Sequence, residues 1–321
     1  MKKPIAITLG EPRSINSEII YKSWKKIRGN NFFLIGNFVL FDQQLKKLGL
    51  KIPLKKINSI NEFKKKGILQ ILDVPLKFKK SFKINDKINN LYNLSCLNLA
   101  HSLANEKKVS GFISAPIDKK IFNHKFLGIT EYLAFKNNVK NSEAMLIYNK
   151  NLSVVPLTTH VDIKDVYKKI SSSLIKKKIL KVNNFFLKYF KKKPKIAILG
   201  LNPHNSESRR GSIERRIIKP AVLTLQKKKI NILGPFSADT IFIKNNLKNF
   251  DVVIGMYHDQ VLSPFKAICG FDAINITLGL KYIRVSPDHG TGKDLIGYNK
   301  ASPLSLINSI KFLDKINNVS S

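Results

Sequence analysis

Short apolar runs, each closing on a polar cluster, recur along this chain. Val252 to Met256 is bounded by Asp251 on one side and by Tyr257-His258-Asp259-Gln260 on the other. Leu152 to Leu157 closes on Thr158-Thr159-His160, and the run KIAILGL from Lys195 closes on Asn202-Pro203-His204. Runs of this length between polar residues read as buried strands. Pro4 to Gly10, Asn31 to Phe38 and Val109 to Ile113 read the same way. Glu143 to Tyr148 and Leu152 to Leu157 flank Asn149-Lys150-Asn151, which predicts a hairpin. The stretches between strands carry helical spacing. Ser14 to Lys25 puts Ile15, Ile19, Ile20 and Trp24 on one face, with Ser14 as the expected N-cap. Val39 to Leu48, stopped by Gly49, is a second helix, and Asp86 to Lys107 a third. Asp162 is the expected cap of a short helix, Ile163 to Ile170; Leu174 to Phe190 and Ile213 to Gln226 follow. Residues 51–85 are basic and short-stranded.

The chemistry sits where the apolar runs stop. In open α/β sheets ligands bind beyond the carboxyl ends of strands. His160, His204 and His258, three of the chain's six histidines, each follow a strand-like run. Three neutral imidazoles with an open fourth position are a catalytic metal set. The alternative for each is a surface or satisfied core histidine, and long-range spacing leaves open whether the three meet. Lys266, then Asn275 in a second strand-like run, then Arg284 at the end of a third, continue the segment after His258. Asp239, in the loop Gly234 to Thr240, reads as a site carboxylate or a helix N-cap. Lys119, Arg209 and Arg210 could meet a phosphate or stay solvated.

Composition narrows the classes. A chain of 321 residues suggests two domains. No apolar stretch approaches the roughly 18 residues of a membrane span. The first residues, MKKPIAITLGEPR, have no small-residue cleavage site, so no signal peptide is expected. Cys96 and Cys269 are expected as free thiols in a cytoplasmic protein. The net charge of +36 would suit a polyanion partner. Its lysines are scattered along the whole chain, and asparagine and isoleucine are abundant too, which fits A/T-rich codon bias. No specific nucleic-acid partner is expected.

Several of these segments carry a family pattern. ITLGEP near the start, SAPIDK at 114–119, TEYLA at 130–134, TTH at 158–160 and LNPH at 201–204 come in that order. GPFSADT at 234–240, MYHDQ at 256–260, NITLGL at 275–280 and SPDHGTGKD at 286–294 complete it. With these motifs the chain resembles, nearly end to end, the 4-hydroxythreonine-4-phosphate dehydrogenases, NAD-dependent enzymes of pyridoxal phosphate biosynthesis. The resemblance implies an α/β fold of two α/β/α domains with a cleft between them, like the isocitrate and isopropylmalate dehydrogenases. One domain would take residues 1–128 and 269–321, the other 129–268. It implies one divalent metal ion (Zn, Mg, Mn or Co) on His160, His204 and His258. It also implies a homodimer in which His258 reaches the partner's site. Thr130, Lys266, Asn275 and Arg284 would touch a small phosphorylated amino-acid substrate. His289, Gly290, Thr291 and Asp294 would line the NAD site; no GxGxxG follows the first strand, so a Rossmann site is not indicated. Asp239 and Lys266 are the candidate catalytic bases.

The same resemblance marks departures. The first turn, glycine-rich in the family, carries Arg13, Ser14 and Asn16, and the segment after LNPH has fewer glycines. Ile129 stands where a substrate-touching histidine is expected, with His124 and Lys125 as possible stand-ins. The alternatives are a related dehydrogenase of a phosphorylated sugar acid, such as phosphothreonate or phosphoerythronate, and a basic binding protein without catalysis.

Overall fold

The computed structural model describes residues 2–320 apart from 28, 30, 66, 123, 124, 140–142 and 271, and only the backbone at 119, 208, 319 and 320. His124 therefore lies outside the described residues. The fold is α/β and divides into two compact units, Met1–Leu133 with Leu280–Ser321, and Ala134–Gly279.

The first unit opens with β1 (Ile5–Thr8), α1 (Asn16–Lys26), β2 (Phe32–Gly36) and α2 (Phe38–Lys47). β3 (Leu54–Ile57), β4 (Leu69–Asp73), α3 (Asp86–Asn105), β5 (Gly111–Ser114) and α4 (Ile129–Lys136) follow. The second unit contains β6 (Ala144–Tyr148), β7 (Ser153–Pro156), α5 (Ile163–Lys169), α6 (Ser172–Phe190) and β8 (Ile196–Leu199). It continues with α7 (Lys219–Lys227), β9 (Ile232–Phe236), α8 (Ala238–Ile241), α9 (Lys244–Leu247), β10 (Val252–Gly255), α10 (His258–Cys269) and β11 (Ile274–Leu278). The chain then returns to the first unit with β12 (Arg284–Pro287) and α11 (Leu304–Ser320).

In the first unit the strands run β3-β4-β2-β1-β5-β12, and every pairing is parallel. Parallel strands are covered on both faces and read as unbroken apolar runs. That is why Ile5 to Ile7 and Phe32 to Ile35 are buried without alternation. In the second unit the order is β11-β6-β7-β10-β8-β9. β7, β10, β8 and β9 pair in parallel, while β6 joins antiparallel to both β7 and β11. The hairpin around Asn149-Lys150-Asn151 is therefore β6–β7. α1 buries Ile19, Ile20 and Trp24, the face expected from their spacing.

Two expectations need correction. Ser14 is not the N-cap of α1, which starts after Ile15 without a side-chain cap. The Ser14 hydroxyl instead donates to Glu11 O and accepts from Asn16 N, closing the turn before the helix. Arg284 opens β12 rather than ending a strand. The compact units exchange at Leu133/Ala134 and Gly279/Leu280. The reason is pairing. β11 bonds to β6 along its length, from Ile274↔Tyr148 to Leu278↔Ala144, which keeps it in the second unit. At the other exchange, Ile129, Tyr132 and Leu133 pack on the first unit's apolar core.

Candidate functional site

β7, β10 and β8 are neighbours running the same way, with Val252 opposite both Ser153 and Ile196. Their carboxyl ends lie side by side, and each leads into one of the three histidines. Thr158 ties two of these ends together. Its N–H and its hydroxyl both donate to Met256 O, at 3.2 and 2.8 Å. His160 follows with φ 51°, in the left-handed region that costs a β-carbon-bearing residue energy. His258 opens α10, and its ring centroid lies 5.9 Å from that of His160. His258 Nδ1 is 2.7 Å from Asp259 Oδ1. A carboxylate only accepts, so Nδ1 carries the proton and Nε2 is left with an available lone pair. An imidazole oriented this way by a carboxylate is the usual arrangement behind a metal-bound histidine. The donor set thus fits a divalent metal by its chemistry. Among the described residues no three His, Cys, Asp or Glu side chains cluster tightly enough in one chain to hold an ion.

His204 sits on an exposed turn after β8 in which four successive residues, His204 to Glu207, have φ between 49° and 54°. Such runs are disfavoured for L-residues, so the turn must be held by its surroundings. Glu214 and Gln260 do this. The buried Glu214 carboxylate accepts from Leu201 N at 3.0 Å, Asn202 N at 2.9 Å and Asn202 Nδ2 at 3.1 Å. Burial pushes the Glu214 carboxyl up, but the N–H donors of Asn202, of Glu214's own backbone and of Leu201 outweigh it and leave it below its ordinary value. Gln260 accepts from Met256 N at 2.6 Å and donates to Gly200 O at 2.8 Å, bridging the ends of β10 and β8. Sequence reasoning missed both residues. Glu214 sits in a helical, arginine-flanked stretch with no hint of its partners; Gln260 was visible only as part of a motif.

Asp239 is exposed in the first turn of α8; the N-cap there is Ser237, so Asp239 is not the cap. α8 packs against the turn carrying His204. Lys266 is half-buried on α10, and Asn275 lies in β11 with a buried Oδ1 that has no hydrogen-bond partner. Arg209 and Arg210 are exposed.

In the first unit Arg284 is 3 % exposed. Its Nε and Nη2 donate to Ser114 Oγ, and Nη1 reaches Thr130 Oγ1 at 3.4 Å. Burial lowers the guanidinium to about 10, with Tyr282 and Glu131 acting the other way. It remains a cation at neutral pH, beside Thr130. The 286–294 loop rests on the first turn: Ile15 N donates to Thr291 O at 3.1 Å, and a β-carbon at Gly292 would collide with Ile15. His289 Nδ1 lies 2.9 Å from its neighbour's carbonyl, Gly290 O. Asp294 is exposed in the short turn after Gly292, and Lys293 pairs with Asp118 at 2.8 Å. Asn16, Ala115, Pro116 and His289 line one recess there. The unusual first-turn residues are committed internally. Arg13 pairs with Glu11 and Asp86, and the Asn16 amide donates to Leu9 O and Pro116 O.

The family model described as Pyridoxal phosphate biosynthetic protein PdxA matches residues 29–313. The chain belongs to the PdxA family. Within that family it is 40% identical over 316 residues to the 4-hydroxythreonine-4-phosphate dehydrogenase of Sulfurihydrogenibium sp. (strain YO3AOP1), covering 96% of each chain. It is 31% identical over 320 residues to the D-threonate 4-phosphate dehydrogenase of Salmonella typhimurium (strain LT2), covering 96% of this chain and 97% of the other. A solved PdxA-family structure, the 4-hydroxythreonine-4-phosphate dehydrogenase of Klebsiella pneumoniae, matches with a TM-score of 0.85 at 30% identity, over 99% of this chain and 98% of that one. No helix among the described residues is long and apolar enough to cross a membrane.

Proposed function

We propose that this PdxA-family chain is a cytoplasmic, NAD-dependent and divalent-metal-dependent 4-hydroxythreonine-4-phosphate dehydrogenase. It would oxidise 4-phosphohydroxy-L-threonine and release carbon dioxide, giving 3-amino-2-oxopropyl phosphate. The observation that carries this reading is the coincidence of family membership with histidines at the carboxyl ends of parallel strands, of which His160 and His204 would serve this chain's site and His258 the partner's. His160, His204 and His258 would hold the metal, with His258 supplied by the partner subunit of a homodimer. A metal bound there would supply a Lewis acid for the substrate hydroxyl, and NAD would supply the hydride acceptor.

The chain's own residues do the rest. Arg284, held by Ser114 and Thr130, offers a desolvated cation to one anionic end of the substrate, where a charge-assisted bond is strongest. Lys266 offers a second cation, for the other anionic group and for the charge that develops as carbon dioxide leaves. Asn275 Oδ1 is a buried acceptor open to a substrate donor. His289, Gly290, Thr291 and Asp294 would line the dinucleotide. Lys266 and Asp239 are the candidates to take the hydroxyl proton.

NADH formation with 4-phosphohydroxythreonine, compared with phosphothreonate, tests the proposal. Turnover of the first that is lost on chelation and in His204→Ala is expected; turnover unaffected by either would remove the metal from the scheme. Co-refolded His160→Ala and His258→Ala chains should regain activity if the site is shared between subunits. The second reading is a dehydrogenase of phosphothreonate. Ile129 and the similarity to a D-threonate 4-phosphate dehydrogenase favour it, and preference for phosphothreonate would establish it.

A further inference from the structure

The turn after β8 has an energetic oddity with a consequence for His204. Four consecutive residues with β-carbons, His204 to Glu207, stand in the left-handed region. Backbone of this kind persists only where neighbours over-determine it. Around this turn the neighbours can be named. Asn205 Nδ2 donates to Pro235 O at 3.0 Å, and Arg209 N donates to Ser206 O at 2.9 Å. Gly200 admits the Asn205 side chain, since a β-carbon there would lie 2.0 Å from Asn205 Oδ1. Upstream of the turn one group does most of the holding. Glu214 is 2 % exposed, and its hydrogen bonds come from Leu201 N, Asn202 N and Asn202 Nδ2.

A buried carboxylate is costly unless its oxygens are satisfied. Here the compensation comes from the two residues that lead into Pro203 and His204. The carboxylate and the loop are therefore one energetic unit: moving Leu201 and Asn202 strands a buried charge. Glu214 itself is well anchored. It opens a π-type turn, Glu214–Ile218, that runs into α7, and Ile218, Ala221, Val222 and Leu225 are buried in the second unit's interior. On the other side of the loop, Gln260 bonds Gly200 O and so ties the same loop to the strand end that carries His258.

We propose that Glu214 is the positioning residue of the metal site: it fixes the Leu201–Asn202 backbone and thereby the place of His204. The proposal rests on the metal reading given above. Glu214 touches neither substrate nor metal in this scheme and acts only through the loop. A purely structural Glu214 would weaken the fold without altering the affinity of folded protein for metal.

The full-length chain should be titrated with Co2+, with binding read from calorimetry and from the visible spectrum, which reports imidazole coordination. Wild type should take up the ion and His204→Ala should not. Glu214→Asp withdraws the acceptor by one methylene, and Glu214→Leu removes it. Both should raise the Kd by about tenfold or more, the range for groups that orient a metal ligand. Glu214→Gln should bind nearly as wild type, because its amide oxygen can take the place of Oε1. Leu225→Ala, a core deletion in α7, should lower Tm and leave the Kd unchanged. If Glu214→Leu does not fold, Glu214→Asp decides. Wild-type affinity in Glu214→Asp, or an equal loss in Leu225→Ala, overturns the positioning role. Failure of wild type to bind, or undiminished binding by His204→Ala, overturns the metal reading and this proposal with it. Those two titrations leave Glu214 untouched, so the two failures are told apart.

Discussion

Ile129 stands, beside Thr130, where the family resemblance implies a hydrogen-bond donor. In the structure it is half-buried and packs on the apolar core of the first unit. Of the two stand-ins, Lys125 is exposed. A hydrogen bond to a charged group contributes roughly 1.5–3 kcal/mol, or about ten- to a hundred-fold in affinity. Ile129→His should therefore lower the Michaelis constant for 4-phosphohydroxythreonine and change the turnover number little. Steady-state kinetics with both substrates check this; an unchanged Michaelis constant would mean another donor is already in place. At this scale the sequence named candidate residues and was poor about their partners. Arg284 was legible as a candidate cation, but its grip on Ser114, 170 positions away in the chain, has no local signature. Asp239 was legible as an acid near a loop, and its cap role dissolved once Ser237 was seen to occupy that position.

Among elements, the parallel strands were the easiest to read, because burial on both faces leaves an unbroken apolar run with a polar stop. The stops after β7, β10 and β8 are where the three histidines lie. β11 was read as a strand, but its antiparallel pairing with β6 is a long-range choice that no local pattern shows. The left-handed turn was invisible: nothing in Asn205-Ser206-Glu207 prescribes positive φ, and the turn is imposed by Glu214, Pro235 and Gly200. The Glu214 carboxyl is held below its ordinary value in the folded chain. A depressed carboxyl contributes stability above its unfolded value and loses it as pH falls through the folded value. Wild type should thus lose stability on acidification more steeply than Glu214→Gln, whose side chain does not titrate. Denaturant midpoints measured from neutral to acidic pH in the two proteins give the comparison. Parallel curves would place the acid sensitivity elsewhere.

For the molecule as a whole, the net charge of +36 is its most conspicuous property and bears least on the proposed chemistry. Duplex DNA should bind weakly, without sequence preference, with an affinity that falls steeply with salt. Filter binding across a salt series tests this, and tight sequence-selective binding at physiological salt would revive the binding-protein reading. Two domains were expected from chain length and their boundaries from the family resemblance; the crossing points of the compact units depend on pairing that no local pattern encodes. The route of the chain has a further consequence, for biosynthesis. The second unit is continuous in sequence, from Ala134 to Gly279, whereas the first is not closed until Leu280–Ser321 has been made. Until then β5 lacks β12 and is an unfinished sheet edge, and α11 is missing from its place beside α1 and β12. Open edges and long-range pairings are slow to satisfy and prone to mispairing. On the ribosome the later-encoded unit is therefore the first that can mature, and the earlier-encoded one waits, with its apolar strands partly uncovered, for the segment from Leu280 onward to emerge.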